Sequence, residues 1–195
     1  MAILANQSEK KMQNQDPAIG YRAANPADAL CIGVLAMQVF LDTYAPDGLR
    51  PDLAREALDN YNPAVYEARL RDVANHIVLA ERADHLLAFC ECSRASAPPI
   101  TALAGGIELV RLYVQRHAKR LGIGAALLAN AEDEARRGGA PFLWLTAWAG
   151  NSNARAFYLA QGYADVGTTS YVIEGQAYEN RIYSKALGNM TEQAT

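Results

Sequence analysis

The segment from Ile107 to Arg137 constrains this chain more than any other. The run Ile107-Glu-Leu-Val-Arg-Leu-Tyr-Val114 has the apolar, β-branched character of a strand. Simple alternation would put Glu108, Val110, Leu112 and Val114 on one face and Ile107, Leu109, Arg111 and Tyr113 on the other. A helix is predicted from about Gly122 to Arg137, with Ile123, Leu127, Leu128 and Ala131 as its apolar stripe. Gly138-Gly139 ends it. Between strand and helix lies Arg116-His-Ala-Lys-Arg-Leu-Gly-Ile-Gly124, a basic turn holding two glycines.

The rest of the chain arranges itself around this unit. A short strand is expected at Ile19–Ala23, and Asn25-Pro26-Ala27-Asp28 then supplies an N-cap, a proline and a first-turn acid for a helix reaching about Tyr44. Further helices are predicted over Pro51–Asn60 and from Pro63 to about Ala74. From His76 the pattern turns to strands: His76–Glu81 and His85–Cys92 form a hairpin across Ala83-Asp84, and Ser93–Pro99 is a loop. Phe142–Trp148 is a strand, and Asn151 or Asn153 caps a short helix through Gln161. Tyr163–Ile173 and Ala177–Lys185 make a closing hairpin through Glu174-Gly175-Gln176. One ordered domain over 18–187 is expected, with a disordered tail at 1–17 and a flexible one at 188–195.

Composition narrows the function classes. At 195 residues, 51% hydrophobic and 20% charged, the chain can bury a full core. Its net charge of -3 provides no global basic field for a nucleic acid. The longest apolar stretch, Ala29 to Leu41, falls short of the ~20 residues of a membrane span. Cys31, Cys90 and Cys92 form no paired framework, which points to a reducing, cytoplasmic setting; Cys90 and Cys92 share a strand face and read as packing residues. His76, His85 and His117 are isolated, and no spacing suggests a metal site.

The basic turn is where chemistry concentrates. A helix N-terminus presents unpaired amides and partial positive charge, and glycines let a phosphate approach the backbone. Arg111, Arg116, Lys119 and Arg120 add positive charge to this region of an acidic chain, so a phosphate or pyrophosphate is the natural ligand. The alternative is that Gly122 and Gly124 only allow close packing of helix on sheet. No Gly-x-x-x-x-Gly-Lys-Ser/Thr string occurs, and Leu127 stands where a dinucleotide fingerprint needs a third small residue.

Two motifs carry a resemblance. Leu112-Tyr113-Val114, Lys119-x-x-Gly122-x-Gly124 and the helix opening Ala125-Ala-Leu-Leu128 resemble the acetyl-CoA signature of the GCN5-related N-acetyltransferase (GNAT) superfamily. Asn151-Ser-Asn-Ala-Arg-Ala-Phe-Tyr158-Leu-Ala-Gln-Gly-Tyr163 resembles that family's Asn-x-x-Ala-x-x-x-Tyr-x-x-x-Gly-Phe segment. The segments Glu108–Val114 and Leu143–Trp148, with the hairpin around Ser170-Tyr171 and Glu179-Asn180, are similar to the polyamine acetyltransferases of the PaiA type. In this chain Lys119 replaces the usual Gln or Arg, Arg120 a frequent glycine, and Asn180 a frequent Asp.

The resemblance implies an α/β GNAT fold: a mixed, mostly antiparallel sheet of about seven strands with a central splay, flanked by helices. It implies acetyl-CoA as cosubstrate, a small-molecule primary amine such as a polyamine as acceptor, direct transfer in a ternary complex, and a homodimer. Nucleic acid and membrane are not implied partners. The cofactor would be held by backbone groups of Leu112, Tyr113 and Val114, by Lys119, Arg120, Leu121, Gly122, Ile123 and Gly124 around the pyrophosphate, and by Asn151, which could instead be only a helix cap. Tyr158 would also line that site and act as general acid toward the departing thiolate. Glu108, its pKa raised by apolar neighbours, is the candidate base for the ammonium proton, with a water chain as the alternative. A non-catalytic acyl-CoA sensor, or an enzyme acting on a protein or antibiotic amine, are the competing readings. The acceptor pocket is expected between the first helices and the Ser170–Asn180 hairpin.

Overall fold

Two-residue turns set most of the sheet, which is described here from a computed structural model covering residues 17–188. The tails expected at 1–17 and 188–195 lie, apart from Pro17 and Gly188, outside the described residues. β2 (Asn75–Arg82) and β3 (His85–Ser93) meet across Ala83 and Asp84, both with positive φ, the geometry that matches the twist of antiparallel strands. β6 (Ala164–Ile173) and β7 (Gln176–Ala186) meet in the same way across Glu174 and Gly175. Gln176, expected in that turn, belongs to the strand.

β1 (Gly20–Ala23) pairs with β2 at one edge, and β4 (Ile107–Val114) pairs with β3. β5 (Phe142–Trp148) pairs antiparallel with β7. Only β4 and β5 run parallel, because α4 (Ile123–Arg137) carries the chain back between them. The seven strands lie in the order β1-β2-β3-β4-β5-β7-β6, the mixed sheet flanked by helices expected above.

Helices cover both faces. On one, Leu127, Leu128 and Ala131 of α4 and Tyr158 of α5 (Ser152–Ala160) pack on Cys90, Cys92, Leu109, Leu143 and Leu145. On the other, α1 (Ala29–Tyr44), α2 (Pro51–Asn60) and α3 (Pro63–Arg71) bury Ile32, Phe40, Leu53 and Tyr66 against Leu79 and Phe89. A Cβ at Gly33 would stand 2.8 Å from the backbone nitrogen of Pro63, so α1 crosses the start of α3 at a distance only glycine allows. α3 stops at Arg71, short of the expected Ala74, because Asp72 turns extended and its carboxylate accepts from the Ala74 amide. With the 3-10 turn before α1, Pro26–Tyr44 is a 19-residue segment of mean hydropathy 1.3, long and apolar enough to cross a membrane by those measures. It is longer than the stretch considered from sequence alone. In this fold its buried residues pack into the second core.

Two features of β4 shape the site. Its pairing with β5 is confined to Ile107↔Leu143 and Glu108↔Trp144. Beyond them β4 stays on β3 as far as Val114 while β5 stays on β7 as far as Trp148, so the sheet splays open at its centre. The second feature is a register shift: Glu91 lies opposite Arg111 but Cys92 lies opposite Leu109, which leaves Val110 as an extra residue. That bulge corrects the simple alternation. Ile107 and Leu109 lie in the α4-side core together with Leu112 and Val114, whereas Ser93↔Glu108 and Glu91↔Arg111 pair on the opposite face. Glu108 is therefore out of phase with Leu112 and Val114.

Candidate active site

The loop after β4 is built to expose its backbone. Arg116–Ala118 form a single 3-10 turn anchored by the buried Ala118, and Lys119 is extended. Arg120 and Gly122 then adopt φ of 67° and 78°. Gly122 is the N-cap of α4 and supplies no side-chain cap, so the first bond across the cap runs from the Ala126 amide to the Gly122 carbonyl. The first-turn amides of Ile123, Gly124 and Ala125 are left for an outside acceptor. Nothing lies within 4 Å of where a Gly122 Cβ would be. An open groove of about 560 Å³ adjoins this turn, lined by Arg116, Lys119, Arg120, Asp42 of α1 and Asn153 of α5. Three cations beside unpaired amides make an anion site. Asp42 and Asn153 enter it only through tertiary packing.

The sequence also counted Arg111 in this basic patch, but its side chain lies on the face opposite Leu112 and Val114, where it bonds Glu91. The side chains of the loop residues divide too. Ile123 is a core residue, Leu121 is half exposed, and Tyr113 is packed against Phe89 and Tyr61 in the second core. Ile123 and Tyr113 are left only their backbone groups to meet a cofactor. Asn151 caps α5, its Oδ1 accepting from the Ala154 amide at 3.1 Å, which leaves its amide nitrogen to donate elsewhere.

Tyr158 lies on the α4/α5 face with Leu112 and Val114. Its ring sits among Phe157, Tyr163 and Tyr183 at centroid distances of 5.3, 5.8 and 5.9 Å. Burial, helped by the nearby Cys90 thiol, pushes its hydroxyl well above the ordinary phenol range. Burial likewise pushes the Cys90 thiol up to about 12, so that cysteine is an inert core residue. Glu108 stands on the opposite face at the last β4–β5 pair, where the splay begins. Burial raises its carboxyl, against the lowering effects of Ser96 and Arg111. Tyr158 and Glu108 thus flank the cleft from opposite faces of the sheet.

On the Glu108 face the structure adds a network that sequence reasoning missed. Glu91 is fully buried and accepts from Arg69 at 2.7 Å and from Arg111 at 2.8 Å. The Arg111 guanidinium carbon lies 5.1 Å from the Tyr61 ring centroid. The signal was present as Glu91 within an otherwise apolar strand, and pairing β3 with β4 would have placed Arg111 opposite it.

The first helices and the β6–β7 hairpin meet in the fold. The Arg55 guanidinium meets Glu174, the Tyr171 hydroxyl donates to Glu56, and Arg50 donates to the Tyr178 hydroxyl at 2.8 Å, joining α2 and the preceding loop to the β6–β7 hairpin. Trp148 and Tyr178 pack on Tyr44 of α1 at 5.4 and 6.0 Å. Asn180 is buried nearby, with its Oδ1 unpartnered. Among the described residues no group of three or more His, Cys, Asp or Glu side chains could hold a metal ion.

Comparison with known proteins agrees with this architecture. The profile of the acetyltransferase (GNAT) family matches residues 39–163. An uncharacterized N-acetyltransferase from the pepI 3' region of Lactobacillus delbrueckii subsp. lactis is 21% identical over 153 residues, covering 78% of this chain and 88% of the relative. The structure of the PaiA N-acetyltransferase of Thermoplasma acidophilum, in complex with coenzyme A, superimposes with a TM-score of 0.67 at 19% identity, covering 87% of this chain and 99% of that one. The structure of yncA from Salmonella typhimurium with its cofactor acetyl-CoA gives 0.65 at 20% identity, covering 91% and 97%. At these identities the superpositions establish the fold.

Proposed function

Because the chain belongs to the acetyltransferase (GNAT) family, we propose that it moves the acetyl group of acetyl-CoA directly onto the primary amine of a small molecule in a ternary complex. The observation that carries this reading is the splay between β4 and β5, flanked by Tyr158 on one face and Glu108 on the other and leading to the cationic groove at α4. The free amides of Ile123, Gly124 and Ala125 suit the pyrophosphate of the cofactor, with Arg116, Lys119 and Arg120 neutralising its phosphates. The edge of β4 freed beyond Glu108 suits the pantetheine arm, which can pair with backbone groups of Leu112 to Val114. A backbone amide of the same strand would meet the oxyanion.

An acetyl group in the cleft would leave its thiol toward Tyr158 and receive the amine from the Glu108 side. The carboxylate of Glu108 takes the ammonium proton, directly or through water; the neutral nitrogen attacks the thioester carbon, the carbon–sulfur bond breaks as Tyr158 gives its proton to the leaving sulfur, and the proton that the new amide nitrogen sheds returns to Tyr158 through water. A polyamine acceptor has the PaiA resemblance in its favour, whereas Asp52 and Glu56 of α2, which could have drawn a polycation, are already bonded by Arg50 and Tyr171. The reducing cytoplasm is the setting we assign, in keeping with three free cysteines.

The first test follows free thiol released from acetyl-CoA over a panel of amines. Release should require the amine. Lys119→Ala combined with Arg120→Ala should raise the KM for acetyl-CoA by roughly tenfold, more at low salt, with kcat little changed. Cofactor binding with no thiol release over any amine would instead indicate a sensor. The second test is pH. A base with a raised carboxyl is lost to protonation as pH falls, so kcat/KM should decline on the acid side with an apparent pKa above that of a free glutamate. Glu108→Gln should remove that limb along with most of the rate; a profile unchanged in shape would assign the proton to water or another group.

A further inference from the structure

We propose that the acceptor amine also carries an acidic group, of the carboxylate class, which docks on Arg111. The inference rests on the N-acetyltransferase reading and narrows its acceptor. Arg111 lies on the acceptor side of β4, opposite in phase to Leu112, and the bulge at Val110 brings Glu108 to the same side; Arg111 is past the last pair with β5, so it stands beside the open cleft. There its guanidinium is nearly enclosed, with the side chain 10% exposed, yet only one of its nitrogens is used, by Glu91. Its Nε is buried with no partner, as are the Nε of Arg69 and the hydroxyl of Tyr66 beside it. Unpaired buried donors are costly to leave, and these cluster in one place.

The charge does not balance either. Two guanidinium groups, Arg69 and Arg111, share the single carboxylate Glu91, leaving one positive charge. The other carboxylates near this face are Glu108, which is neutralised when it takes the ammonium proton, and Glu56, already bonded by the Tyr171 hydroxyl. An anionic group on the acceptor supplies the missing charge and accepts from a planar fork that carboxylates fit well. Across the cleft on β7, Asn180 offers the opposite need: it lies opposite Trp148, facing α1, and its buried Oδ1 has no donor. An amino acid has both halves, an anion for Arg111 and N–H donors for Asn180 and Glu108. A second ammonium, as in a polyamine, would meet the surplus positive charge.

The test follows free thiol with acetyl-CoA and each L-amino acid, its carboxamide, the amine left by its decarboxylation, and spermidine. We expect at least one free amino acid to exceed its carboxamide and decarboxylated amine in kcat/KM by roughly tenfold to a hundredfold. Arg111→Gln should collapse that ratio through KM for the acid. Because Arg111→Gln strains the Glu91 pair, Arg111→Lys serves as the companion variant: it keeps the charge and should restore part of the preference, with thermal unfolding run on both. Spermidine or the plain amines outrunning every acid, or acid and carboxamide performing alike, would overturn the proposal and leave the acetyltransferase reading standing. No release over any amine would sink both.

Discussion

Tyr158→Phe is expected to lower kcat by about 10²- to 10⁴-fold, the usual worth of a positioned general acid, while the KM for acetyl-CoA stays within about twofold of its starting value. The hydroxyl is the only atom removed, and the ring keeps its contacts with Phe157, Tyr163 and Tyr183. Burial holds that hydroxyl in its neutral form far above working pH, so it donates a hydrogen bond to the sulfur as charge develops there and never titrates on its own. No alkaline limb in the rate should therefore belong to Tyr158. Steady-state kinetics over pH 6 to 10 check both statements. A variant with unchanged kcat would reduce Tyr158 to a packing residue and leave the thiolate to be met by water.

Glu91→Ala carries the largest expected effect on stability. Its carboxylate is fully buried and, among the described residues, is the only ion-pair partner of both Arg69 and Arg111. Removing one member of such a group leaves uncompensated buried charge, at a cost of about 3–5 kcal/mol. For a domain of this size the melting temperature should fall by on the order of 10 °C. Arg69, part exposed on α3, can turn toward solvent; Arg111, enclosed between Tyr61 and the sheet, cannot. The comparison that separates charge from packing is Glu91→Leu combined with Arg111→Met, which removes the pair together and should recover much of the loss. A single variant losing less than about 1 kcal/mol would mean that water already shares the network.

Local chemistry made many of the elements legible. Pro51–Asn60 and Phe142–Trp148 were read to the residue, because proline at a first helical position and strand composition after Pro141 are signals that need no partner. The Ala83-Asp84 turn was legible from its place between two strand-like runs, and the basic turn from its charge and glycines. The errors also have local causes. The third helix was carried too far because Asp72 acts through a turn contact and not through helix propensity. Alternation assumes unbroken pairing, and one extra residue at Val110 inverts every side chain before it relative to those after, so Glu108 lies on the face opposite Leu112 and Val114, while Arg111 and Tyr113 keep the face that alternation gives them.

What the sequence by itself determined is the set of parts: strand, glycine-containing basic turn and amphipathic helix, then the Asn151–Tyr163 segment, in the order that marks an acetyltransferase of the GNAT family. These depend on spacing within short stretches, where backbone conformation and amide exposure are local properties. Tertiary structure alone decided what faces the cleft. Asp42 and Asn153 reach the cationic groove from helices far apart in the chain, Tyr158 and Glu108 take opposite sides of the splay, and Arg111 leaves the phosphate turn for a buried carboxylate on β3. The reason is register: a strand's side chains gain their direction from the neighbour they pair with, and no window of a single strand contains that neighbour.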